Sequence, residues 1–273
     1  MRKLLSLGYS RLQRWSWLLR DYGRLQEDLR VAHGALQVRP VLARRWHRGS
    51  KYFSGVDASG ERLFLKLDGD SRLLENEVNA CVRLQRTVSN SEHFPNMRFF
   101  NLMGNYRVTA MEWLEGETLS SLLRKKPPEE QLRRVMREMA AILGELNRAG
   151  IVHRDFTPDN LLVSTAGSRD SISVVLIDFA FAAIDGAAPQ DRLVSLHDLR
   201  DLCHGYKAEE YRWDDAYSCL RIFEEIRGAS GVEDAISLTE ARNRIGALTF
   251  SFDAAAAERE RVGCFAAKTA SGN

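Results

Sequence analysis

The sequence has few cysteines, almost no net charge, no long apolar run and no internal repeat, and each shortage closes off a class of protein. The 4 cysteines, Cys81, Cys203, Cys219 and Cys264, lie far apart. No CxxC pair offers zinc ligands, and so sparse a set builds no disulfide scaffold; a reducing compartment is the simplest reading. Lys and Arg number 39 against 37 Asp and Glu, a net charge of +2, so the molecule is not a polycation made to coat nucleic acid. No stretch of 18 apolar residues occurs, which excludes a membrane-spanning helix. The start, Met1-Arg2-Lys3-Leu4-Leu5, resembles a signal peptide, but Gly8, Ser10, Arg11 and Arg14 interrupt the apolar region at once. The expected location is the cytoplasm.

What is present is ordinary globular material. Of 273 residues, 44% are hydrophobic and 28% charged, enough for a real core in one large domain or two small lobes. The first 30 residues read as helical, with Leu5, Leu12, Trp15, Leu19 and Tyr22 near one face. From Val38 the texture becomes strand-like: "VRPVLARRWH", "KYFSGV" and "ERLFLKL", the last two joined by the tight-turn sequence "DASG". A helix from about Ser71 to Arg86 carries Leu73, Leu74, Glu77, Cys81 and Leu84 along one side. Two more strand candidates follow, "MRFFNL" and "YRVTAMEWL". Pro127 and Pro128 then open a long helix that Gly150 closes. These patterns predict an α+β, bilobal chain: an amphipathic extension over 1–35, a small antiparallel sheet lobe with one helix over 36–115, and a mainly helical lobe over 116–273.

The chemistry is concentrated in "IVHRDFTPDNLLV" and "VVLIDFAFA". The segment "NLLVSTAGSRDSISVVLIDF" reads as a short hairpin that brings Asp178 back beside Asp155 and Asn160. One carboxylate near a hydroxyl can orient it and take its proton. A second carboxylate and an amide oxygen are hard ligands for magnesium. That set is what phosphoryl transfer needs: an oriented hydroxyl and cations to neutralise phosphate charge.

The two segments resemble the catalytic loop and DFG-type metal site of the protein-kinase-like phosphotransferases, here "HRDFTPDN" and "DFA". The resemblance continues in order upstream. It makes Lys66 in "LFLKL" the phosphate-binding lysine and Glu77 in "ENEVNACVRL" its partner, with Glu75 as the competing choice. It makes "TAMEWLEGETL", with Glu112, the hinge beside the nucleotide. Gly49 and Ser50 stand where backbone amides would touch phosphate. Asp155 becomes the catalytic base, and Asn160 and Asp178 the magnesium ligands, with ATP as donor. His153 reads as a brace of the loop, and Arg154 as a partner of a nearby acid or of a phosphorylated segment. The chain departs from the pattern in four places: no G-x-G-x-x-G, Thr157 where many protein kinases carry lysine, Ala180 at the third DFG position, and no APE afterwards. Such departures resemble the small, atypical branches, and "DRLVSLHDLRDLCHGY" is most similar to the lipopolysaccharide core heptose kinases. That likeness implies a glycan or glycolipid acceptor. Residues 2 to 20 carry Arg2, Lys3, Arg11, Arg14 and Arg20 and no acid. This basic, Trp-bearing helix either lies on an anionic membrane surface, the inner face of the inner membrane, or packs on the small lobe.

Overall fold

The computed structural model describes residues 16–34, 37–42, 46, 50–68, 73–103, 106–165, 172–185, 196–230 and 248–251. Its first layer is a five-stranded antiparallel sheet in the order β1-β2-β3-β5-β4, built from β1 (Gln37–Val41), β2 (Ser50–Val56), β3 (Arg62–Asp68), β4 (Met97–Met103) and β5 (Tyr106–Glu112). The β2–β3 hairpin turns where the sequence places "DASG": the Asp57 carboxylate accepts from the amides of Ser59 and Glu61, both at 2.9 Å, the side-chain-to-backbone bonding that makes Asp a turn residue.

Strand alternation gives the sheet two faces. Phe53, Leu63, Leu65, Leu67, Val108 and Ala110 point to one side and join a buried cluster with Trp17, Leu25, Leu29, Val38 and Trp46. The N-terminal extension therefore packs on the sheet over its described length. Residues 16–20 are helical and lead into α1 (Tyr22–His33). Trp17 meets Trp46 edge-on at 5.9 Å and Phe53 at 5.8 Å, and Lys51 lies 4.9 Å over its ring. The face expected from the sequence is shifted. Leu19 is 83% exposed while Trp17, Leu25 and Leu29 are buried: the helical bonding continues through Asp21, whose N donates to Trp17 O and whose O accepts from Leu25 N, so residues spaced by multiples of four from Trp17 share the inward face and Leu19 lies on the other side.

Helix α2 (Leu73–Thr87) buries Leu74, Glu77, Ala80, Cys81 and Leu84. Ala80, Cys81 and Leu84 belong to the larger core formed with α4 (Glu129–Ala149) and α6 (Asp215–Ser230), so α2 links the sheet to the helical region. Pro128 stands at the N-cap of α4, and Gly150, left-handed at φ 68°, closes it by donating to Asn147 O, a conformation that favours glycine. Between them lie β6 (Glu117–Thr118) and the short helix α3 (Leu119–Arg124). After α4 the chain makes β7 (Ile151–Val152), the loop of interest, and a hairpin of β8 (Leu161–Ser164) and β9 (Ser173–Leu176). Next come β10 (Ala183–Ile184), which pairs with β7, α5 (Leu196–Asp201), and β11 (Arg212–Asp214), which pairs with β12 (Thr249–Ser251).

Candidate active site

Lys66 is placed by β3, on the face opposite the buried cluster. Its ammonium lies 2.7 Å from Glu77 Oε1 and 2.9 Å from Asp178 Oδ1. Glu75 points elsewhere and meets Arg107 at 2.7 Å, so of the two acids on α2 the inward one holds the lysine. Burial works against the Lys66 charge, but Asp178 and then Glu77 outweigh it and keep the ammonium well above lysine's ordinary value. Burial raises the Glu77 carboxyl, with Lys66 opposing the rise. Lys66 in turn holds Asp178 below the usual carboxylate range.

The loop between β7 and β8 presents Asp155 and Asn160. A 3-10 turn at Pro158–Asn160 brings the Asn160 amide back, so that its Nδ2 donates to Asp155 O and Asp155 Oδ2, both at 2.8 Å. Burial, then the nearby Asp178 charge, raises the Asp155 carboxyl to about 6, while Asn160 and the Cys203 amide pull it down. The hairpin secures Asp178: Ile177 N donates to Asn160 O at 2.9 Å, and Ile177 O faces His153 Nε2 at 3.0 Å. Asp178 itself is left-handed, φ 69° and ψ 64°. His153 is fully buried, edge-on to Phe179 at 4.6 Å, and burial depresses it to about 4. A neutral ring wedged against backbone is a brace, as the sequence suggests.

The back of the same loop is held differently. One carboxylate, Asp215 at the start of α6, accepts from the amides of His153 (2.6 Å) and Arg154 (3.2 Å). Arg154, at φ 67°, buries its guanidinium between Trp213 (4.3 Å) and Phe250 (4.6 Å). Asp215 thus serves the backbone, and the arginine rests on aromatic faces.

The profile of the lipopolysaccharide kinase (Kdo/WaaP) family matches residues 110–215. That stretch runs from β5 through the catalytic loop and the metal-site turn to Asp215. The KEOPS complex subunit Bud32 of Pyrococcus abyssi is 30% identical over 162 residues, covering 56% of this chain and 69% of that protein. The chain belongs to the protein-kinase-like superfamily. This kinase is also similar to the EKC/KEOPS subunit bud32 of Emericella nidulans, 28% identical over 43% of the chain and 57% of the relative. A third relative is the serine/threonine-protein kinase ppk18 of Schizosaccharomyces pombe, 28% identical over 53% of the chain but only 11% of the relative. The present chain is a phosphotransferase with a hydroxyl acceptor.

The superfamily implies ATP and, with it, magnesium. The donor set fits such an ion. The Asn160 amide spends its Nδ2 on two Asp155 oxygens, which leaves its carbonyl oxygen as the acceptor end, and Lys66 binds Asp178 through Oδ1. A carboxylate and an amide oxygen are the hard ligands that magnesium takes.

The remaining expected residues separate. Ser50 opens β2 opposite Asp68, and Gly49 lies outside the described residues. Glu112 sits at the end of β5, where the chain leaves the sheet, but its side chain is already engaged. Its carboxylate accepts from Asn96 N (3.0 Å) and Nδ2 (3.1 Å), and its amide donates to Asn96 O (3.1 Å). The carboxylate and the amide N–H are therefore both bound to the turn before β4. The motif reading also missed residues. Asp215, Trp213 and Phe250 brace the loop from far along the chain. Asn76, next to Glu77, gave its one signal as a polar residue beside the inward stripe.

Proposed function

We propose that this kinase transfers the γ-phosphate of ATP, with magnesium, to a sugar hydroxyl of lipopolysaccharide core or a related glycolipid. The observation that carries the glycan assignment is the match of residues 110–215 to the lipopolysaccharide kinase family. In this reading Asp155 orients the acceptor hydroxyl and takes its proton as the bond to phosphorus forms. A carboxyl raised to about 6 is a stronger base than an ordinary aspartate yet still ionised at neutral pH. Lys66 meets the donor phosphates and is held ready by Glu77. Asp178 and Asn160 hold magnesium, which neutralises phosphate charge when bound. Assays of ATP turnover with magnesium should compare purified lipopolysaccharide core, free sugars and a generic protein. Turnover on the core alone supports the proposal; turnover on the protein alone defeats the glycan assignment and leaves the transfer chemistry standing.

The Bud32 and serine/threonine kinase relatives favour a second reading, a protein acceptor. It predicts the opposite pattern in the same assay. A membrane-anchored acceptor would also place the enzyme at the cytoplasmic face of the inner membrane, held by Arg2, Lys3, Arg11, Arg14 and Arg20 at about 1 kcal/mol each on an anionic leaflet. Trp17 takes no part, since it is buried in the small lobe. Among the described residues no helix is long and apolar enough to cross a membrane. Sedimentation with anionic vesicles at low and high salt tests this placement; no binding at low salt removes it.

A further inference from the structure

Asn76 stands on α2 immediately before Glu77, half-buried, with no part in the chemistry above. Its Nδ2 lies 2.9 Å from Ala182 O, 3.0 Å from Ala180 O and 3.3 Å from Phe179 O. Three carbonyls can face only a donor, so the orientation of this amide is fixed by its surroundings. All three oxygens belong to the single 3-10 turn and its cap, Phe179 to Ala182, that follow Asp178.

We propose that Asn76 is a positioning residue for the metal site: it ties the DFA turn to α2 and so fixes the direction in which Asp178 presents its carboxylate. The tie completes a ring. From α2, Glu77 holds Lys66, Lys66 holds Asp178, and the turn after Asp178 returns through Asn76 to α2. Asp178 cannot swing away without breaking both arms. Ala180, in place of glycine, also narrows the backbone conformations open to the turn. The metal-binding arrangement is then built into the resting protein. The proposal rests on the phosphotransferase reading, because it takes Asp178 as a metal ligand.

The test is binding of a fluorescent ATP analogue to the full-length protein, titrated with magnesium. Three variants are compared with wild type: Asn76→Ala, Asn76→Asp and Val88→Ala. In N76A the magnesium concentration for half-maximal binding should rise about 10–100-fold, the usual effect of removing an outer partner of a metal ligand, while affinity for the magnesium-free analogue stays within about twofold. N76D, of the same shape but offering only acceptor oxygens to three carbonyls, should be impaired at least as much. V88A trims a buried side chain just past the C-terminal end of the same helix and should lower the melting temperature without moving the magnesium dependence. A wild-type magnesium response in N76A or N76D overturns the proposal. So does an equal magnesium shift in V88A at a matched loss of melting temperature, which would make Asn76 merely structural. If the wild-type protein binds the analogue at no magnesium concentration, the phosphotransferase reading falls and the proposal falls with it.

Discussion

The catalytic loop has two faces, built on opposite principles. On the front, Asp155 and Asn160 are polar groups bonded to each other and kept open to chemistry. On the back, His153 and Arg154 are buried against Asp215, Trp213, Phe250 and Phe179, with Arg154 Nε and Nη2 making no hydrogen bond among the described residues. The two faces meet in consecutive residues, His153 and Arg154 on the back and Asp155 on the front. The contrast shows how a left-handed backbone residue, Arg154 at φ 67°, is made tolerable. Its conformation costs on the order of 1 kcal/mol or more, and two amide bonds to one carboxylate plus two aromatic contacts oppose that cost.

The contrast breaks most sharply under substitution of the metal-site acid and the base. Asp178→Ala should abolish magnesium-dependent nucleotide binding, read by titration of an ATP analogue. Asp155→Ala should lower kcat by about 10² or more with nucleotide affinity largely kept. Near-wild-type turnover in D155A would remove Asp155 from the role of base.

The back face should fail in stability instead. Trp213→Ala removes a buried aromatic ring and should cost about 3–5 kcal/mol in urea unfolding. Arg154→Met is the sharper test. It replaces a buried cation, stacked between rings, with an apolar chain of similar length, but it leaves the buried Asp215 carboxylate without its cationic neighbour and should cost about 3–5 kcal/mol. Should R154M lose turnover while staying folded, the arginine serves the reaction and the two faces are not separable.

The front face was legible in the sequence because its residues are contiguous and their spacing is dictated by the reaction. Asp155, Asn160 and Asp178 fall on one loop and one hairpin, and Lys66 with Glu77 on a strand and the next helix. The five sheet strands followed from period-two alternation and turn residues, with errors at the ends: β1 stops at Val41 rather than reaching His47, and Leu42 already has φ 49°. The back face was not legible. Asp215 lies 62 residues from the His153 amide it accepts, and nothing in "RWDDAYS" says that its acid serves a distant backbone. The surroundings of Glu112 and of Leu19 were not legible either, for a related reason. Sequence places a residue on an element, but a partner such as Asn96, or the sheet face that takes Trp17, Leu25 and Leu29 rather than Leu19, decides where the side chain goes.

A smaller effect separates the faces by pH. Asp155 must be ionised to accept a proton, and burial raises it to about 6. kcat/KM should therefore be flat above that pH and fall about tenfold per pH unit below it. A profile that stays flat down to pH 4.5 would mean that a different group takes the proton.

The smallest expected effect lies outside both faces, at His93. Its Nε2 meets Glu138 at 2.9 Å and its Nδ1 meets Glu145 at 3.0 Å, both on α4, while Arg148 and Ser91 also contact Glu145. Its carbonyl accepts from Leu176 N at 2.9 Å, two residues before Asp178. Burial disfavours the imidazolium, but the two carboxylates outweigh it and raise His93 above its ordinary value. A base raised in the folded state contributes stability fully below its unfolded pKa, and that contribution is lost as pH rises through the folded pKa. The stability difference between wild type and His93→Gln should thus be larger at pH 6 than at pH 9, by roughly 1–2 kcal/mol, the scale of a hydrogen bond to a charged group. Taking the difference cancels titrations common to both proteins. A difference that does not change with pH would mean that His93 bridges the two acids as a neutral ring, and that the contact between this loop and α4 is geometric rather than ionic.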